Sequence, residues 1–250
     1  MYNKVKTKAE IEAIRESGKM LATVLQAVQK YIKAGMSGLE VDAFANRELK
    51  ALGGVPAFLG YQGFPGSICI SVNDAVVHGI PDAYTFKDGD IVSFDFGVVY
   101  RGMITDAARS VVIGGEPPAE IKKLLQTTQR ALDDAINIVK NGVAVGDISA
   151  AAQKPIDAGG YGNVRDLVGH GVGHQVHEEP EIPNYGVAGT GPILKTGMTV
   201  AIEPMVTMGD WRVVIDPDGW TIRTRDGSLS AHFEDTILVT ETSAEILTRI

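Results

Sequence analysis

An α+β fold built from two related halves is predicted by three observations. Two capped amphipathic helices open the chain, the hydrophobic period then falls from helical to two, and a run from the first half recurs in the second.

Thr7-Lys8-Ala9-Glu10 is a capping box, in which hydroxyl and carboxylate each satisfy a backbone N–H left open at a helix start. Ile11, Ile14, Leu21, Val24, Leu25, Val28 and Ile32 follow at helical spacing, and Gly35 stops the run. Ser37-Gly38-Leu39-Glu40 opens a second helix carrying Val41, Phe44, Leu49 and Leu52, which Gly53-Gly54 ends. With a helix this early, no separate N-terminal domain is expected. Residues 67–72, 90–100 and 107–113 alternate as strands do, and a helix over 118–140 places Ile121, Leu124, Leu125, Leu132, Ile136 and Val139 on one side.

The pattern then repeats. Phe86-Lys87-Asp88-Gly89-Asp90-Ile91-Val92-Ser93-Phe94-Asp95 matches Leu194-Lys195-Thr196-Gly197-Met198-Thr199-Val200-Ala201-Ile202-Glu203 at a constant offset of 108 residues. Ile32-Lys33-Ala34-Gly35 matches Val139-Lys140-Asn141-Gly142 at 107, and Asp106 with its strand resembles Glu234-Asp235-Thr236-Ile237-Leu238-Val239. Three matches in one order predict a single domain over 1–250 with pseudo-equivalent halves, about 1–115 and 116–250. Its strands are expected to form one curved antiparallel sheet with helices on the outside.

Composition narrows the partners. A net charge of −8 argues against nucleic acid, whose phosphates need a basic surface. Cys69 is the only cysteine, which excludes a disulfide framework and a cysteine-rich zinc site. No apolar run reaches membrane-spanning length, so a cytoplasmic protein is expected.

The repeat sets Asp95 against Glu203 and Asp106 against Glu234. Strand alternation puts Val92, Phe94 and Phe96 on one face and Asp95 on the other. Likewise Val200 and Ile202 oppose Glu203, and Phe233, Ile237 and Val239 oppose Glu234. Four acids on neighbouring strands would repel unless cations lay between them. Three of the five histidines lie within Gly169-His170-Gly171-Val172-Gly173-His174-Gln175-Val176-His177-Glu178-Glu179-Pro180. Its interior glycines and closing proline disfavour a helix, so His170 and His174 are not a helical zinc pair. A glycine-rich surface turn is the bland reading of this stretch alone; the carboxylates elsewhere decide against it. Four carboxylates and one imidazole suit two divalent cations with a shared water, four positive charges against four negative. A histidine ligand favours Mn²⁺, Fe²⁺, Co²⁺ or Zn²⁺ over Mg²⁺.

Val77-His78-Gly79-Ile80-Pro81, Asp95 with Asp106, the Gly169–Pro180 stretch, Glu203-Pro204-Met205-Val206 and Phe233-Glu234-Asp235-Thr236 together resemble type I methionine aminopeptidase, nearly end to end. The resemblance implies the pseudo-symmetric "pita-bread" fold and a dimetal enzyme that removes N-terminal methionine when the second residue is small. It implies Asp95, Asp106, His170, Glu203 and Glu234 as ligands, Glu203 also as general base, and His177 at the scissile carbonyl. His78 would contact the second residue, and Tyr61, Phe64, Cys69, Val176 and Trp220 would line the methionine pocket. Nascent polypeptides are the implied substrates, met by a bacterial-like, cytoplasmic monomer at the ribosome or free of it. Two departures stand out: Val176 where many relatives carry Phe, and Gln62 where some carry His. Val176 predicts a roomier pocket, unless Phe58 or Leu59 fills the same space. His174 has no implied role, and His232 is expected to pack behind a ligand. Rival readings are a proline-specific peptidase of the same fold, which carries an extra N-terminal domain, and a metal-free binding module, which would have lost ligands.

Overall fold

The computed structural model describes residues 5–250. Helix α1 (Lys8–Tyr31) and helix α2 (Gly38–Leu52) both start at the expected boxes. Thr7 N–H and Ser37 N–H each donate to the carboxylate three residues on, at 2.7 Å. Gly53 ends α2 in the left-handed conformation, φ 85°, where a side chain would be strained. Helix α3 (Ala119–Asn137) occupies the predicted third position.

Helix α4 (Val145–Gly159) lies outside the expected elements. Pro155 sits inside it and removes one backbone donor, which sequence propensity penalises heavily. Packing outweighs that: Ile148, Ala152 and Ile156 are fully or almost fully buried in the core. The repeat announces this helix, since α2 and α4 are each 15 residues long and start 107 residues apart. The flanking hydrogen bonds recur at 107 and 108 residues: Gly35 N–H donates to Phe86 O and Gly142 N–H to Leu194 O, both at 2.9 Å.

Strands Ile91–Tyr100 and Met103–Val112 form a long hairpin through Arg101 and Gly102, both at positive φ. Its register sets Asp95 opposite Ala108 and Gly97 opposite Asp106, so the two acids share a face. Cys69–Val72 pairs along the other edge, with Cys69 opposite Asp95. In the second half, Gly169–Gly171, Thr199–Ile202 and Asp235–Val239 form the middle of a five-stranded ladder.

In the described residues the strands divide among four antiparallel ladders rather than one uninterrupted sheet. Pro204, which has no N–H to donate, separates Thr199–Ile202 from Met205–Thr207. Facing it, Phe233 and Glu234 separate Ser230–His232 from Asp235–Val239. Ala108 and Glu234 exchange backbone hydrogen bonds of 3.3 and 3.0 Å across the seam, which joins one half to the other.

The predicted alternation holds. Val92, Phe94 and Phe96 pack with α1 and α2 in one core cluster, while Val200, Ile202, Phe233, Ile237 and Val239 pack with α3 and α4 in another. Helices therefore cover the apolar outer faces and leave the acid-bearing faces turned inward. Among the described residues, no helix is long and apolar enough to cross a membrane.

Candidate metal centre and substrate pocket

The inward faces meet at one cavity of about 150 Å³, and all twelve residues singled out in the sequence line it. Asp106 is held by Thr236, whose hydroxyl accepts from its N–H at 2.9 Å and donates to its carbonyl at 2.8 Å. Glu203 follows directly on its strand, and its carbonyl accepts from the Asn184 amide at 3.0 Å. His170 sits opposite Ala201 and donates Nδ1–H to the Gly171 carbonyl at 2.9 Å. That bond leaves Nε2, 3.4 Å from Glu203 Oε1, as a bare lone pair aimed at the acids.

Ligand atoms of Asp106, His170 and Glu234 all lie within 4.8 Å of one another. The carboxyls of Asp95 and Asp106 are within hydrogen-bonding reach. Asp95 Oδ1, Asp106 Oδ1 and Glu234 Oε1 are buried with no hydrogen-bond partner. Buried acceptors left in this way cost free energy. Burial pushes Asp95, Glu203 and Glu234 well above the carboxylate range, the charge of Asp106 adding to it, and raises Asp106 to about 7. Burial, then His177, lowers His170 to about 3, so it stays neutral, as a metal ligand must. Orphaned oxygen acceptors around one oriented imidazole fit divalent cations.

His78 adopts a left-handed backbone, φ 58°, which is uncommon outside glycine. Gly79 fixes it there: a Cβ at residue 79 would lie 2.1 Å from the Ile70 carbonyl oxygen. Burial, then His177, lowers His78 to about 4, so its ring is neutral near pH 7. The Gln62 amide donates to the Tyr61 hydroxyl (3.3 Å), which leaves the phenol proton for His177 Nδ1 (3.1 Å). The His177 proton is then on Nε2.

Beside the acids lies an apolar slot. Phe58, Phe64, Cys69 and Val176 form a buried cluster with Tyr61 and Trp220 packed on it. Trp220 meets Phe64 edge-on with centroids 5.2 Å apart. Burial and the surrounding acids push the Cys69 thiol well above its usual range, so it is an inert wall. Phe58 belongs to the same buried cluster as Val176 and lines the cavity with it, whereas Leu59 is 52% exposed. Sequence spacing could not separate these two neighbours. His232 is buried, and its Nε2 lies 3.7 Å from Glu203 Oε2, beside the acid cluster.

Residues 12–241 match the profile of metallopeptidase family M24. The chain belongs to metallopeptidase family M24. Among M24 proteins it is similar to the methionine aminopeptidase of Clostridium perfringens, 44% identical over 246 residues that cover 98% of each chain. Its structure superposes on the methionine aminopeptidase of Thermotoga maritima with a TM-score of 0.96 and 48% identity over 99% of both chains. The M24 prolidase of Pyrococcus furiosus is more distant, with a TM-score of 0.78 and 26% identity, and this chain spans 66% of its length. The fold is thus the M24 pita-bread fold, the chain is a hydrolase of that family, and it groups with the methionine aminopeptidases.

Proposed function

We propose that this enzyme removes the N-terminal methionine of peptides and proteins whose second residue is small. The carrying observation is the junction of a narrow apolar slot with four acids and three histidines in one cavity. A thioether side chain enters the slot, where sulfur–aromatic contacts with Tyr61, Phe64 and Trp220 contribute about 0.3–1.5 kcal/mol.

Asp95, Asp106, His170, Glu203 and Glu234 would hold two divalent cations, drawn from Co²⁺, Mn²⁺, Fe²⁺ and Zn²⁺. When bound, such a pair activates water near neutral pH and polarises a carbonyl. Glu203 takes the proton released as the water oxygen attacks the scissile carbonyl carbon. His177 donates Nε2–H to the carbonyl oxygen as negative charge develops there. The carbon–nitrogen bond then breaks, and the proton passes to the departing amine. His78, rigidly held and neutral, meets the second residue and restricts it to small side chains.

The enzyme is read as one catalytic domain of two halves, about 1–115 and 116–250. It acts as a cytoplasmic monomer on nascent-chain N-termini, during or after their passage from the ribosome. The test is methionine release by Mn²⁺- or Co²⁺-loaded protein from Met-Ala-Ser and Met-Phe-Ser peptides, with an Xaa-Pro dipeptide alongside. Rapid cleavage of the first alone is expected. Equal turnover of the two methionyl peptides, or preferential cleavage before proline, would overturn the reading.

A further inference from the structure

The buried ion pair between Lys6 and Glu178 plays no part in the chemistry above. Their side chains are 0% and 2% exposed, and Lys6 Nζ lies 2.8 Å from Glu178 Oε2. The other oxygen, Glu178 Oε1, accepts from the backbone N–H groups of His174 and Gln175 at 2.6 and 3.1 Å. The loop that carries His177 thus folds back onto a single carboxylate, whose charge Lys6 neutralises.

Two further contacts close the clamp. Lys6 packs along Gly173, where an added Cβ would lie 2.5 Å from Lys6 Cε, and Gly173 is at φ 146°, where a side chain would be strained. Outside, His174 Nε2 lies 2.8 Å from Glu10 Oε1, while the other Glu10 oxygen caps α1 through Thr7. The start of α1 is thereby tied to the turn preceding Val176 and His177. Lys6 itself is anchored through its N–H on the Gly197 carbonyl at 2.8 Å.

We propose that Lys6 and His174 are positioning residues of the peptidase. Acting through Glu178 and Glu10, they hold the loop 173–178 so that His177 reaches the scissile carbonyl and Val176 closes the methionine slot. Neither touches substrate. The proposal rests on the role of His177 given above, and its test has an arm that does not.

The first arm is amide hydrogen exchange in Lys6→Met and His174→Ala. Exchange at residues 174 and 175 is expected to accelerate by about tenfold or more, with strand Ile91–Tyr100 unchanged. Lys6→Met leaves a carboxylate buried without its cation and can unfold the protein; His174, at the partly exposed end of the clamp, keeps the test decisive. The second arm is a double-mutant cycle in kcat with Met-Ala-Ser. Alone, His177→Ala is expected to lower kcat about 10²-fold. Misplacing that group through Lys6→Met is expected to cost about 10- to 100-fold, and His174→Ala somewhat less. Combined with His177→Ala, neither should cost appreciably more than His177→Ala alone. Unchanged loop exchange in a folded variant would overturn the clamp. Penalties that multiply would overturn its action through His177. A wild type that does not turn over Met-Ala-Ser would remove the proposed function, while exchange would still decide the clamp.

Discussion

Stripping the metal should reverse the usual dependence of stability on pH for this protein. Asp106 is the quantitative handle, because burial moves its carboxyl from 3.8 in a flexible chain to about 7 in the fold. Between those values the folded state keeps a proton that the unfolded state has lost. Stability from this group is therefore fully present below pH 3.8 and is lost as pH rises through 7. The whole displacement is worth on the order of 4 kcal/mol, of which about 2 kcal/mol falls between pH 5.5 and 7.5. For a chain of 250 residues, at about 2–4 °C per kcal/mol, Asp106 alone lowers the chelated midpoint by roughly 4–8 °C over that interval. Asp95, Glu203 and Glu234 are displaced in the same direction and add to the loss. Cation binding requires the ionised acids, so the loaded protein should show a flat or rising midpoint. The assay is thermal unfolding at pH 5.5 and 7.5, chelated and loaded, for wild type and Asp106→Asn. A chelated wild type whose midpoint falls no further than that of Asp106→Asn would refute the reasoning.

Other consequences can be measured directly. Glu203→Gln should lower kcat by about 10²–10⁴-fold with KM changing far less, and activity within about tenfold of wild type would exclude Glu203 as base. Val176→Phe places a ring in a cavity of about 150 Å³ that Phe58 already lines, so kcat/KM should fall more for ethionine-Ala-Ser than for Met-Ala-Ser, by about tenfold. An unchanged ratio would show that Val176 does not shape the slot. Gly79→Ala drives a Cβ to 2.1 Å from the Ile70 carbonyl oxygen, which backbone movement must relieve at about 1–3 kcal/mol. Its thermal midpoint should drop by several degrees, and a midpoint equal to wild type would mean the strand relaxes freely there.

The amino-acid sequence already displayed the acids, because strand alternation and the repeat fix which way Asp95, Asp106, Glu203 and Glu234 point. It also showed both N-terminal capping boxes, whose signals are local. Local propensity hid helix α4, because Pro155 contradicts its own segment; the repeat with α2 and burial against the core both point the other way. The division of the sheet depended on Pro204 standing across from Phe233 and Glu234, a register between strands far apart in sequence. Phe58 could not be told from Leu59, and the Lys6–Glu178 pair escaped, for a related reason. Their partners lie 118 and 172 residues away for Val176 and Glu178, and no spacing rule connects them. His174 was legible as a residue without a role, and the fold supplies it with a partner on α1.

The seam between Ala108 and Glu234 has a mechanical meaning. Asp95 and Asp106 precede the Gly114–Pro118 connection, whereas His170, Glu203 and Glu234 come after it, so neither piece carries the proposed ligand set alone. Cations seated among them would act as rivets, and their binding energy would count toward the docking of one piece on the other. A chain nicked within 114–118 should stay assembled while loaded and come apart when chelated. Occupancy of the centre would then report the integrity of the whole shell as much as readiness for chemistry.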